Sequence, residues 1–116
     1  MPQEPLTIQD IAGLQKNGER ILRLKGPILI SNLFDFQAKV RANQSEKLIL
    51  DLTEVSYVDS AGIGALVGAY VTHHKDGRSL ALVGVSDRLR HALQVTHVEH
   101  FFRFFPSVSD AQSAVA

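Results

Sequence analysis

The residues best placed to do chemistry lie in one run, Val55-Ser56-Tyr57-Val58-Asp59-Ser60-Ala61-Gly62-Ile63-Gly64. Leu48-Ile49-Leu50-Asp51 precedes it, and an apolar stretch with helical spacing follows. Ser60 should therefore sit where a strand and its loop turn into a helix. The first turn of a helix offers free backbone N–H groups and the positive end of the helix dipole. A phosphate on a serine there is held locally and changes the charge that the surface presents. Ser60 reads as a switch residue. The plainer alternative is a serine that only caps its helix.

Other chemistries fit less well. A hydrolase nucleophile needs a Gly-x-Ser-x-Gly elbow, and Val58-Asp59-Ser60-Ala61-Gly62 lacks it. Asp59, beside the serine, also disfavours an alkoxide. No catalytic residue is assigned. His73 and His74 point to different sides of a helix, and His97-x-x-His100 has only Glu99 nearby, so no metal ligand is assigned. Asp51 resembles the phospho-accepting aspartate of a receiver domain, but the acidic cluster that binds magnesium there is missing. Gly62, Gly64 and Gly68 are not followed by the Gly-Lys-Ser/Thr of a phosphate loop.

The elements that must position Ser60 follow from periodicity. A weakly patterned strand is expected over 6–14, with a turn at Gly18. A half-buried strand over 20–25 places Leu22 and Leu24 on one face and Arg23 and Lys25 on the other. Ser31 or Asn32 should cap a helix to about residue 42, with Leu33, Phe36 and Val40 inward. The run 47–51 has three consecutive branched apolar residues, as a strand covered on both faces requires. A helix over 60–75 should stop at Gly77, and a strand over 79–85 follows. Ser86 should cap a helix over 86–96 with Leu89, Ala92 and Leu93 inward. A short strand is expected over 101–105. Ser107-Val108-Ser109-Asp110 resembles a capping box opening a last helix with Ala111, Ala114 and Val115. Alternating strands and helices imply an α/β domain with crossovers and a largely parallel centre, its first two strands antiparallel.

The helix after Ser60 is rich in small residues. Ile63, Leu66, Val67 and Tyr70 should face the sheet. That leaves Ala61, Gly64, Ala65, Gly68 and Ala69 for the remaining surface. Two glycines within a helix cost roughly 1 kcal/mol each relative to alanine. Close packing against a neighbouring helix is one explanation. A flat surface left open for another protein is the other. On the second, Gly64 and Gly68 should be exposed, and a bulky charged residue at Ala65 should abolish docking with little loss of stability.

The 116 residues suit one domain spanning 1–116, and 45% hydrophobic residues can supply a core. Twelve basic and twelve acidic side chains cancel, so nucleic acid and anionic membranes are not expected partners. There is no cysteine, hence no disulfide or thiolate chemistry. No signal peptide is read at the start, and no apolar stretch is long enough to insert into a bilayer. The expected place is the cytoplasm.

Leu48-Ile49-Leu50-Asp51-Leu52 followed by Val58-Asp59-Ser60-Ala61-Gly62-Ile63-Gly64 resembles the STAS domain, the sulfate-transporter and anti-sigma-factor-antagonist family. The likeness runs from about Leu6 to the last helix. It implies a mixed four- to five-stranded sheet with about four helices packed mainly on one side. In free-standing bacterial members the serine at the Ser60 position is phosphorylated by a partner kinase that is itself the anti-sigma factor. A serine or threonine is common at the next position, which here is Ala61. The family's Gly-Glu-Leu-Asp turn is matched by Gly26-Pro27-Ile28-Leu29, which keeps the glycine and replaces both acidic residues. That turn lies near the phosphorylation site and contributes to partner contact.

The resemblance implies an anti-sigma factor antagonist that binds an anti-sigma factor serine kinase while Ser60 is unphosphorylated, with a serine phosphatase to reset it. The expected partner surface is Asp59, Ser60, Ala61, Gly62, Gly64, Ala65 and Gly68, with Gly26, Pro27, Ile28 and Leu29. The chain would carry no catalysis and no cofactor, nucleotide belonging to the kinase. The alternative is a regulatory subunit of a membrane transporter complex that docks the same helix on its ATPase.

Overall fold

The computed structural model describes residues 5–11, 18–42 and 45–114. The elements in chain order are β1 (Thr7–Asp10), β2 (Glu19–Lys25), α1 (Leu33–Arg41), β3 (Lys47–Glu54), α2 (Ser60–Lys75), β4 (Ser79–Val83), α3 (Asp87–Val95), a 3-10 turn (Glu99–Phe101), β5 (Arg103–Phe105) and α4 (Val108–Ser113). The five strands form one mixed sheet in the order β1-β2-β3-β4-β5. β1 runs antiparallel to β2, and β2, β3, β4 and β5 run parallel to one another. Among the described residues, no helix is long and apolar enough to cross a membrane.

β3 is central, as its unbroken apolar run suggested, and its alternation serves two cores. Leu48, Leu50 and Leu52 join Leu22, Leu24, Leu80 and Leu82 on one face. That face is covered by Leu33, Phe36 and Val40 of α1, Ala65, Leu66 and Ala69 of α2, and Leu89 and Leu93 of α3. Ile49 goes to the other face with Ile21, Ala81 and Val83, where Ala111 of α4 closes a smaller core. Three helices thus lie on one side and one on the other. Lys47 links β3 to α4 by donating to the carbonyls of Ala111 and Ala114. Those carbonyls lie in and just beyond the last turn, where a helix lacks internal donors.

Several expectations are adjusted. β1 is shorter than 6–14: Leu6 and Ile11 flank it, and residues 12–14 lie outside the described residues. β3 continues to Glu54, so Asp51 is within the strand and not at its end. Its buried carboxylate is taken by Arg23 at 3.2 Å and by the backbone N–H and hydroxyl of Thr53. β4 stops at Val83, because Gly84 turns the chain with φ 67°. Phe101 belongs to the 3-10 turn, and Val115 lies outside the described residues. Ser86 and Ser107 cap α3 and α4 as expected, accepting from the N–H of Leu89 and Asp110.

Candidate functional site at the head of α2

The loop between β3 and α2 is laid beside the loop that follows β2. Ile28 donates to the carbonyl of Tyr57 at 2.9 Å, Asp59 donates to the carbonyl of Ile28 at 3.2 Å, and Ser56 donates to the carbonyl of Gly26 at 3.3 Å. Ile28 and Val58 form a parallel bridge. The family-like turn and the Ser60 segment are therefore neighbours.

Asp59, not Ser60, caps α2. One carboxylate oxygen accepts from the N–H of Gly62 at 2.8 Å, and the other accepts from the N–H of Ile30 at 3.0 Å. A single aspartate thus starts the helix and fixes the adjoining loop. Asn32 occupies the cap position of α1 without capping it. Its side chain accepts from the N–H of Leu29 at 2.9 Å and donates to the carbonyl of Pro27 at 3.0 Å, closing the 26–29 turn from the other end. Relieved of the capping duty, Ser60 is the first residue of α2 and is exposed.

The expected partner surface divides in two. Gly64 and Gly68 are exposed, and a Cβ built on either meets nothing within 4 Å. Gly62 is buried: a Cβ there would stand 2.5 Å from the Ile28 carbonyl oxygen and 2.7 Å from a Val58 methyl. Ala61 is half-buried against the core. Ala65 is only 4% exposed and Ala69 is buried too. The inward stripe of α2 is Gly62, Ala65, Leu66, Ala69 and His73, whereas Ile63, Val67 and Tyr70 are half-buried at its flank. The expectation that Ala65 is open surface is corrected, because α1 packs against that side of α2. A charge at Ala65 would disturb the core. The turn is corrected likewise: Gly26, Pro27 and Ile28 are buried and Leu29 is half-buried. The interloop bonds hold their side chains away from solvent.

Three exposed large apolar residues that precede α2 in the chain were not anticipated. Ile30 is 65% exposed, Phe34 70% and Tyr57 49%. Ile30 is bonded to Asp59, Phe34 lies one turn on, and Tyr57 stands three residues before Ser60. The sequence did hold a signal, since Phe34 falls off the Leu33–Phe36–Val40 stripe and Ile30 precedes it by four.

Two cavities adjoin the site. One, of about 190 Å³, runs between α1 and α2 past Gly68 and Thr72. The other, of about 220 Å³, lies between the β3–α2 loop and α3, with Ser56, Tyr57 and Ser60 on one wall and Ser86 and Arg88 on the other. Among the described residues no group of three or more His, Asp or Glu side chains could hold a metal.

The fold is shared with known proteins. The model of the STAS domain matches residues 10–111, and the chain belongs to the STAS family. It is 47% identical over 49 residues to the anti-sigma-B factor antagonist of Listeria monocytogenes. That match covers 42% of this chain and 43% of the relative, so the chain spans less than half the length of that protein. Its fold superposes with a TM-score of 0.82 on an anti-sigma factor antagonist from Mycobacterium paratuberculosis, at 20% identity and over 98% of each chain. The Bacillus cell fate determinant SpoIIAA in its phosphorylated form gives 0.71 at 16% identity, over 91% of this chain and 96% of that one. At these identities the two structures speak for the fold.

Proposed function

We propose that this STAS domain, taken as one unit over 1–116, is an anti-sigma factor antagonist that works by partner switching in the cytoplasm. Unphosphorylated, it binds an anti-sigma factor that is also a serine kinase. The kinase transfers the γ-phosphoryl group of ATP to the Ser60 oxygen; the hydroxyl proton leaves and ADP is released. The phosphate adds about −1.5 to −2 charge to the docking face and ends binding. A serine phosphatase reverses the step by hydrolysis. The chain supplies the acceptor and the surface, and the catalytic groups and nucleotide are the kinase's.

The observation that carries this reading is the position of Ser60. It is exposed at the head of the helix that carries the open Gly64 and Gly68, beside Asp59, which binds the N–H of the exposed Ile30. Its neighbour Asp59 fixes the helix start and the adjoining loop by accepting from the N–H groups of Gly62 and Ile30. A rigid, flat, partly apolar surface suits protein docking, and charge placed at its edge opposes it. The docking residues are Ser60, Gly64 and Gly68 with Ile30 and Phe34. Asp59, Gly62, Ala65 and the 26–29 turn act beneath them as the frame.

The test is incubation with the cognate kinase and ATP, followed by mass spectrometry and a binding measurement. Phosphate is expected on Ser60. Ser60→Ala should bind the kinase constitutively, and Ser60→Asp should bind more weakly. Phosphate found only on Ser56 or Ser86 would overturn the site. Full affinity in the phosphorylated protein would overturn the switch. Capture of a transporter ATPase in place of a kinase would favour the regulatory-subunit reading, which uses the same surface.

A further inference from the structure

Ser60 at the head of α2 and Arg88 in the first turn of α3 line the same cavity of about 220 Å³. Arg20, Arg23, Arg78 and Arg90 each hold a carboxylate. Among the described residues Arg88 has no carboxylate within ion-pair distance and is exposed. The nearest acid to Ser60 in the chain, Asp59, is already spent: its two oxygens take the N–H groups of Gly62 and Ile30. Ser86 accepts from the N–H of Leu89 at 3.1 Å, which leaves its hydroxyl proton able to donate. The cavity wall opposite Ser60 thus carries a cation without a partner and a hydroxyl donor.

We propose that this cavity is an internal seat for the phosphate on Ser60, with Arg88 as the residue that receives it. The inference rests on the reading of Ser60 as phosphoacceptor. A guanidinium pairs with a phosphate through two parallel N–H donors, which fixes the group in one place. A phosphoserine has its second pKa near 6, so near neutrality it carries a mixture of charge states. A neighbouring cation lowers that pKa and holds the phosphate dianionic. Arg88 would therefore sharpen the switch, giving the modified protein a full double charge at a defined position between α2 and α3. Arg88 is a positioning residue: it holds the phosphate after transfer and takes no part in the transfer itself.

The experiment uses full-length protein with phosphoserine installed at position 60 during translation, so that no kinase is needed. Its phosphorus resonance is followed against pH by NMR. The phosphate of the wild-type chain should titrate roughly half a unit or more below that of Arg88→Gln, about a threefold difference in proton affinity. Arg88→Lys, which keeps the charge without the fork, should fall between them. The other charged or titratable groups near the phosphate are Asp59 ahead of Ser60, Asp87 beside Arg88, and Tyr57 on the cavity wall. They are the same in all three proteins and cancel in the comparison. Coincident titration curves for wild type and Arg88→Gln would overturn the seat. A kinase that ignores Ser60 would show in the mass spectrum and leave this titration untouched, so the two readings fail separately.

Discussion

Gly62 and Gly64 stand two residues apart on α2 and have opposite surroundings. Gly62 is glycine because the chain itself comes too close: the Ile28 carbonyl and the Val58 side chain occupy the place of a Cβ. Gly64 has empty space where a Cβ would go, and so does Gly68 one turn later. The alanines follow the same division, with Ala65 and Ala69 on the packed side. Smallness in this helix therefore has two causes. On one side it permits close packing of a helix and a loop. On the other nothing within the fold asks for it, and a helix with two glycines gives up roughly 2 kcal/mol of propensity for no internal contact. The proposed docking surface would account for that cost.

The most severe test of this division is a charge on the packed side. Ala65→Lys places an ammonium among Phe36, Val40 and Leu66 without a partner. It should destabilise the protein by about 3 kcal/mol or more, visible as a large drop in urea midpoint or as failure to fold. A folded Ala65→Lys with an unchanged midpoint would erase the distinction between the two sides. Gly62→Ala should cost less. Crowding against backbone is worth about 1–3 kcal/mol and outweighs the ~1 kcal/mol gained in helix propensity.

On the open side the sign reverses. Gly64→Ala and Gly68→Ala should each stabilise the chain by about 1 kcal/mol, raising the melting temperature. Gly64→Leu should leave the fold intact while weakening kinase binding roughly tenfold or more, by holding the partner off the helix. Unchanged affinity in Gly64→Leu would remove the open face from the interface, whatever the stability shows.

Much of this was legible from residues alone, and the failures have identifiable physical origins. The limits of α2 could be read because Ser60 and Gly77 bracket an apolar run, and Gly77 does take a positive φ of 72°. The centrality of β3 could be read because three branched residues in succession have nowhere to go but a doubly covered strand. The inward side of α2 could not. Ile63, Val67 and Tyr70 outrank Ala65 and Ala69 in apolarity, yet the alanines are inside because α1 approaches closely there. Apolar periodicity measures contrast between faces, and α2 is apolar all round. The burial of Pro27 and Ile28 was hidden for another reason. It depends on bonds to residues 56–59, some thirty positions later, which no local pattern encodes. Asn32 likewise looks like a cap until the turn that it closes is known.

The smallest effect concerns the far end of the packed stripe, where His73 follows Gly62, Ala65 and Ala69 inward and is 1% exposed. Its Nδ1 lies 2.9 Å from the carbonyl of Ala69 in the previous turn. Burial pushes the imidazole below its ordinary pKa, the bond to Ala69 opposes this, and nearby Arg78 and Asp76 act in opposite senses as lesser influences. The folded state therefore favours the neutral ring, and at mildly acid pH the unfolded chain takes up the proton first. Stability should be full above about pH 6.5 and decline as the pH falls from there toward the lowered folded value, by no more than about 1.4 kcal/mol per pH unit. Asp10, whose carboxyl is held below its usual range chiefly by its hydrogen bond from Arg20, acts at lower pH than the onset of the His73 effect. Urea melts at about pH 7.5 and about pH 5.5 should differ in the wild type, and the difference should shrink in His73→Gln, which has no proton to bind in that range. An equal pH dependence in both proteins would mean that the packed stripe ends at Ala69 and that the last turn of α2 opens freely in solution.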